Sequence, residues 1–297
     1  MMIFSVVRLL LLATLTRALP LEHRDVSPQQ LSTLAFFAQY AGTSYCNYAN
    51  APGQAVTCGS NICPLVEADG ATTGLSFTTP ILDTRGLIAI DPARSLIVVS
   101  FRGSSSVRNW ATDITFPQVP CTLTLGCLVH VGFASAWEEV EDQVIAGVAA
   151  ARAANPTYSL VVTGHSLGGA VATLATACLR QAGHPADLYT YGSPRVGNII
   201  FAQFVTEQAG NEYRVTHTDD PVPKLPPITL NYAHTSPEYW ITTDENEVVS
   251  ASEITVCNGY TTLDCNAGAL GVNATAHVWY FGHTSGCGPD EIILPLK

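Results

Sequence analysis

An α/β fold, with a mostly parallel central sheet and helices on both faces, is what this sequence predicts, and three observations carry the prediction. Short β-rich runs alternate with helix-patterned segments between residues 95 and 220, the order expected of strands joined by crossover helices. Runs such as Leu160-Val161-Val162-Thr163 read as buried strands, because a parallel strand is covered on both sides. Of the 297 residues, 47% are hydrophobic and only 12% charged, enough apolar material for one sizeable core.

The first eighteen residues carry Arg8, a short apolar run from Leu9 to Leu15 and small residues toward Ala18. This is the pattern of a secretory leader cleaved near Ala18. The run is too short to span a bilayer, and Arg17 interrupts it. Residues 19–24 read as a short propeptide and 25–297 as a single domain without a transmembrane anchor. Within that domain, residues 95–103 read as a strand and 132–155 as one long amphipathic helix. Residues 159–166 follow as a strand and 167–182 as a helix. Residues 187–197 form a strand and turn, 198–208 a helix, and 213–220 a further strand.

The formal net charge of -11 argues against nucleic acid as a partner, since phosphate binding needs a surplus of Lys and Arg. It equally disfavours purely electrostatic attachment to anionic lipid. Nine cysteines behind a secretory leader imply disulfides and one cysteine left over. Cys58–Cys63, Cys121–Cys127 and Cys257–Cys265 are close enough for local loops, and Cys46 and Cys287 remain to tie the ends of the mature chain. Cys178, inside a small-residue helical pattern, is the odd one and reads as a buried thiol. No paired C-x-x-C or H-E-x-x-H spacing points to zinc, and no metal or other cofactor is expected.

The stretch Gly164-His165-Ser166-Leu167-Gly168 sits where a strand passes into a helix. Flanking glycines permit the sharp turn that lifts a serine hydroxyl above a sheet, and the helix that follows aims N–H groups at a developing oxyanion. Ser166 is therefore a candidate nucleophile, with a helix N-cap as the plain structural alternative. A hydroxyl needs a base to take its proton and an acid to orient that base. These should follow in the order Ser, Asp or Glu, His. The strand at 213–220 delivers Asp219 and Asp220 at its end, just before Pro221. The base is one of His234, His277 and His283, and spacing alone does not choose, although His277 precedes an aromatic run. His130 and His165 read as structural.

Upstream, Gly103-Ser104 could place a hydroxyl and an N–H beside the nucleophile. Val107, Trp110, Ala111 and Ile114 then recur along one face of a short helix. That face either covers the core or forms a mobile lid hinged near 103–106.

Taken in order, "FRGSSSVRNW", "GHSLGGA", "YGSPRVGN", "THTDDPVPKLPP", "SPEYW" and "AHVWYFG" resemble the fungal secreted class 3 lipases. That group includes the Rhizomucor and Thermomyces lipases and the mono- and diacylglycerol lipases, and the resemblance spans roughly residues 30 to 287. It implies an α/β-hydrolase fold with a short helical lid. It implies Asp220 as the acid, His277 as the base, and Ser104 with the Leu167 N–H as the oxyanion hole. Asp113 matches an aspartate that orients the serine hydroxyl when the lid opens, and a terminal disulfide like Cys46–Cys287 belongs to the pattern.

The implied protein is a secreted, monomeric serine ester hydrolase acting on acylglycerols at a lipid–water interface. Feruloyl esterases share the fold with a more polar lid, and phospholipid or galactolipid hydrolysis is a further alternative. Asn273-Ala274-Thr275 is a glycosylation sequon four residues before His277. Intact-mass measurement of the secreted chain should show a glycan there and a start after Ala18 or Arg24. A mass equal to the bare mature chain would remove the glycan.

Overall fold

A computed structural model describes residues 26–104 and 115–287. The expected leader and propeptide, the expected lid residues Val107, Trp110, Ala111, Asp113 and Ile114, and the residues after Cys287 lie outside the described residues. Eight strands form one sheet in the order β1 (Thr72–Thr78), β2 (Arg85–Asp91), β3 (Leu96–Phe101), β6 (Ser159–His165), β7 (Ala186–Tyr191), β8 (Glu212–His217), β9 (Glu238–Ile241) and β10 (Ile254–Cys257). From β3 through β9 the pairing is parallel. The flanks β1–β2–β3 and β9–β10 are antiparallel. β4 (Gln118–Pro120) and β5 (Leu128–His130) form a separate two-stranded ribbon.

Successive side chains of a strand point to opposite faces, and here both faces are buried. On β6, Leu160 and Val162 enter one apolar cluster and Val161 the other. β3 divides in the same way, with Ile97, Val99 and Phe101 on one side and Val98 on the other. The helix Pro28–Asn47 covers the second face, capped by Ser27 accepting from Gln30 N–H at 3.1 Å. The helices Val131–Glu138, Glu141–Ala154 and Leu167–Gln181 cover the first.

The single helix expected over 132–155 is two helices. Val140 adopts φ −119° and ψ −6° between them and is fully buried in the core. The Glu139 carboxylate accepts from Thr79 Oγ1 and from Leu82 N–H. Helical periodicity favours continuity, but burying Val140 while keeping Glu139 on the β1–β2 turn requires the chain to break there.

All four expected disulfides are present: Cys46–Cys287, Cys58–Cys63, Cys121–Cys127 and Cys257–Cys265. The first ties the end of the helix Pro28–Asn47 to the last described residue. Cys178 is the free cysteine among the described residues, packed against the first core cluster. Burial, reinforced by the nearby Glu141 charge, pushes its thiol up to about 12. It should be inert as a nucleophile, since the thiolate is the reactive form. A disulfide-exchange reagent should therefore find no reactive thiol in the native chain and one per chain after unfolding. Rapid reaction of the folded protein would contradict this.

Candidate active site

β6 ends at His165, the helix begins at Leu167, and Ser166 makes the whole junction with φ 58° and ψ −130°. A non-glycine residue there is strained, and it persists only where the surroundings over-determine it. Packing supplies that constraint. A Cβ on Gly164 would meet Gly168 O at 2.3 Å, and one on Gly168 would meet Phe101 O at 2.2 Å. Only glycine lets the helix start this close to β6 and to the end of β3. Ser166 N–H donates to Tyr191 O at 2.9 Å, fixing the elbow to β7.

Asp220 follows β8 and is fully buried, and His277 ends the short helix Ala274–His277 and is 1% exposed. The imidazole Nδ1–H donates to the Asp220 carboxylate at 2.8 Å to Oδ2 and 3.0 Å to Oδ1. Two more donors complete the carboxylate: Tyr280 Oη–H at 2.5 Å to Oδ2 and Val222 N–H at 2.9 Å to Oδ1. A buried carboxylate accepting several donors is held in one orientation. The Ser166 hydroxyl and His277 Nε2 are both buried without a hydrogen-bond partner. A hydroxyl and a ring nitrogen left unpaired are the groups that would exchange a proton during attack.

His165 links these parts. Its Nε2–H donates to His277 O at 2.7 Å, so Nδ1 accepts, from Tyr45 Oη–H at 2.8 Å. Tyr45 Oη in turn accepts from Gly103 N–H at 3.2 Å. The residue before the serine therefore joins the histidine's backbone to the Gly103–Ser104 loop through a tyrosine from the N-terminal helix. Ser104 and Leu167, the expected oxyanion pair, line one cavity of about 130 Å³ together with Gly103, Arg102 and Leu82.

The other candidates fall elsewhere. Asp219 is half-buried against Gly271. His234 donates from Nε2 to Pro223 O at 2.7 Å, and His283 is exposed with its ring edge-on to Trp279. His130 accepts from Gly132 N–H at 3.0 Å and donates to Thr115 O at 2.8 Å, the first residue after 105–114. Asn273 Oδ1 caps the helix carrying His277, accepting from Thr275 N–H at 3.0 Å, and its Nδ2 donates to Glu245. Among the described residues, the cluster of ligating side chains Cys58, Cys63 and Glu67 has both sulfurs bonded to each other. Sequence reasoning passed over Tyr45 and Tyr280. Tyr280 lies in the quoted "AHVWYFG" run, whereas Tyr45 carries no local signal at all.

The description "Lipase (class 3)" matches residues 98–230, and "Lipase 3 N-terminal region" matches residues 4–75. A secreted mono- and diacylglycerol lipase 1 from Fusarium solani is 52% identical over 280 residues, covering 93% of this chain and 84% of its own. The chain belongs to the class 3 lipase family. Among solved structures, the mono- and diacylglycerol lipase of Aspergillus oryzae superposes with a TM-score of 0.84 at 45% identity, over 87% of this chain and 98% of that one. A triacylglycerol lipase described as having a serine protease triad as its catalytic centre gives a TM-score of 0.78 at 33% identity, over 89% and 99%. The lipase fold expected from the motifs is thus the family's own.

Burial has a consequence for stability. Desolvation holds His165 and His234 well below the ordinary histidine value of 6.5, and His130 below it. In the unfolded chain these residues protonate near 6.5, so below that pH the unfolded state binds more protons and folding is disfavoured. Each histidine contributes a slope of at most about 1.4 kcal/mol per pH unit. The melting temperature should fall on going from about pH 7 to about pH 5, and His165→Gln should flatten the slope while lowering stability throughout. A melting temperature unchanged across that window would refute the assignment of neutral buried imidazoles.

Proposed function

We propose that this class 3 lipase is a secreted, monomeric hydrolase of carboxylic esters in acylglycerols, with mono- and diacylglycerols as its main substrates. The observation that carries the chemistry is the buried Asp220–His277 pair, tied through His165 to the strained elbow on which the Ser166 hydroxyl is unpaired. His277 Nε2 takes the Ser166 proton as Oγ attacks the ester carbonyl. Asp220 holds the imidazole in the tautomer that leaves Nε2 free and stabilises the imidazolium that forms. The tetrahedral oxyanion is bound by Ser104 and the Leu167 N–H, where losing one donor typically costs about 2.7–4 kcal/mol of barrier. The alcohol leaves with the proton from His277, and water then releases the acyl group by the reverse path. The lid expected over residues 107–114, outside the described residues, belongs to this reading, with Asp113 orienting the Ser104 hydroxyl on opening.

The choice of lipid over a soluble aryl ester is supported by where large apolar side chains reach water. β3 and β6 are parallel, so the β1–β2 turn, antiparallel to β3, returns to the edge that carries Ser166. β9 is parallel to β8, so its connection to β10 lies at that edge too. In these loops Ile81 is 82% and Val248 94% exposed, with Leu82 beside Ile81, and in the segment just before the helix that ends at His277 Leu270 is 96% exposed, with Val272 nearby. Apolar studs around a catalytic edge suit contact with an uncharged lipid phase. No helix among the described residues is long and apolar enough to cross a membrane, and the relatives' secreted status supports an extracellular site of action.

Ser166→Ala should lower turnover by about 10⁴-fold or more, as loss of a catalytic nucleophile does. Wild-type protein should hydrolyse emulsified monoolein and diolein faster than triolein, phosphatidylcholine or methyl ferulate. Near-normal turnover in Ser166→Ala, or a preference for methyl ferulate, would overturn the reading.

A further inference from the structure

The turn that presents Asp220 is not held by its own residues alone. Asp220 N–H bonds back to His217 O at 2.9 Å, and Thr218 inside the turn has φ 33°. Positive φ is costly for a β-branched residue and needs support from outside. That support reaches the turn's carbonyls. Trp240 Nε1–H donates to Thr218 O at 2.8 Å. Asn266 Nδ2 donates to Thr218 O at 3.1 Å and to Asp220 O at 3.0 Å. A side-chain amide has two protons, and here both go to the turn that frames the carboxylate.

Asn266 is itself fixed. It is 1% exposed, and its backbone N–H donates to Glu238 Oε1 at 3.2 Å. Glu238 is ion-paired with Arg214 of β8 at 3.0 Å and accepts from Thr216 Oγ1 at 2.5 Å. The preceding residue, Cys265, is bonded to Cys257 at the end of β10. The amide thus couples β8, β9 and β10 to the backbone of the acid, while its side chain bonds neither the carboxylate nor the imidazole.

From this arrangement we propose that Asn266 is a positioning residue for the catalytic acid, acting through Asp220 and resting on the reading of Asp220 as that acid. Asn266 holds the acid's peptide so that the carboxylate meets His277 Nδ1, Tyr280 Oη and Val222 N–H together. Without it, the turn relaxes from its positive φ and the carboxylate shifts against the imidazole. Misplacement on the scale of an ångström can cost about 100-fold in rate.

The test uses the full secreted chain and a soluble ester, p-nitrophenyl butyrate, well below each variant's melting temperature. Asn266→Ala and the isosteric Asn266→Asp, which offers an acceptor where two donors stood, should lower kcat by about 10- to 100-fold and leave KM within about twofold. Asn266→Ser keeps one proton to donate and should recover part of the loss; it also serves if alanine does not fold. The deciding measurement is the same substitution in an Asp220→Ala background, where Asn266→Ala should cost less than about twofold because the group it acts through is gone. An equal fold-loss in both backgrounds, or wild-type kcat in folded Asn266→Ala and Asn266→Asp, would overturn the inference. Undiminished turnover in Asp220→Ala alone would overturn the acid assignment and this inference with it, whereas a deficient Asp220→Ala with additive Asn266 losses would overturn the inference only.

Discussion

The close approach of backbone to backbone at the end of β6 is the constraint on which the rest of the site depends. The helix after Ser166 can start beside Phe101 and fold back over Gly164 only because glycines occupy 164 and 168. That approach forces Ser166 into its strained conformation, buries its hydroxyl, and sets the Leu167 end of the helix against the Gly103–Ser104 loop. Ser166 and the Gly103–Ser104 loop are thereby placed by one packing event rather than by separate devices.

The second half of the site is a buried polar network, in which every unmet donor or acceptor would be costly. Asp220 has three partners, and the backbone of His277 is held by His165, which is held in turn by Tyr45. Ser166 Oγ and His277 Nε2 are among the buried atoms left unpaired, as is Thr218 Oγ1 in the turn before Asp220.

Distant parts of the chain are recruited for this. The N-terminal helix contributes Tyr45 and the terminal disulfide contributes the anchor at Cys46. The segment near the C-terminal end supplies Asn266, Asn273, His277 and Tyr280 within fifteen residues of chain (266 to 280). Side chains that meet from separate connections, such as Asp220 and His277, need such cross-ties, because connecting segments are otherwise the most mobile parts of a fold. The apolar loop tips at the same edge show the opposite tendency, leaving large side chains in water where a lipid phase can take them.

The sequence by itself determined the alternation of strands and helices and the glycine-flanked junction at Ser166, and it offered the three local cysteine pairs. Those features rest on short-range physics: periodicity, glycine at a turn, and cysteines a few residues apart. Only the tertiary structure decided that the sheet has antiparallel flanks and that the helix over 132–155 breaks at Val140. It also paired His277 rather than His234 or His283 with Asp220 rather than Asp219, a choice the residues alone had left open until the family resemblance was considered. Tyr45 and Asn266 were invisible beforehand, because each acts across more than forty residues of chain, Tyr45 on the His165 ring and the Gly103 N–H and Asn266 on backbone carbonyls, in pairings no local pattern records. A local pattern states which face of an element is apolar; which groups meet across the sheet is settled by closing the core.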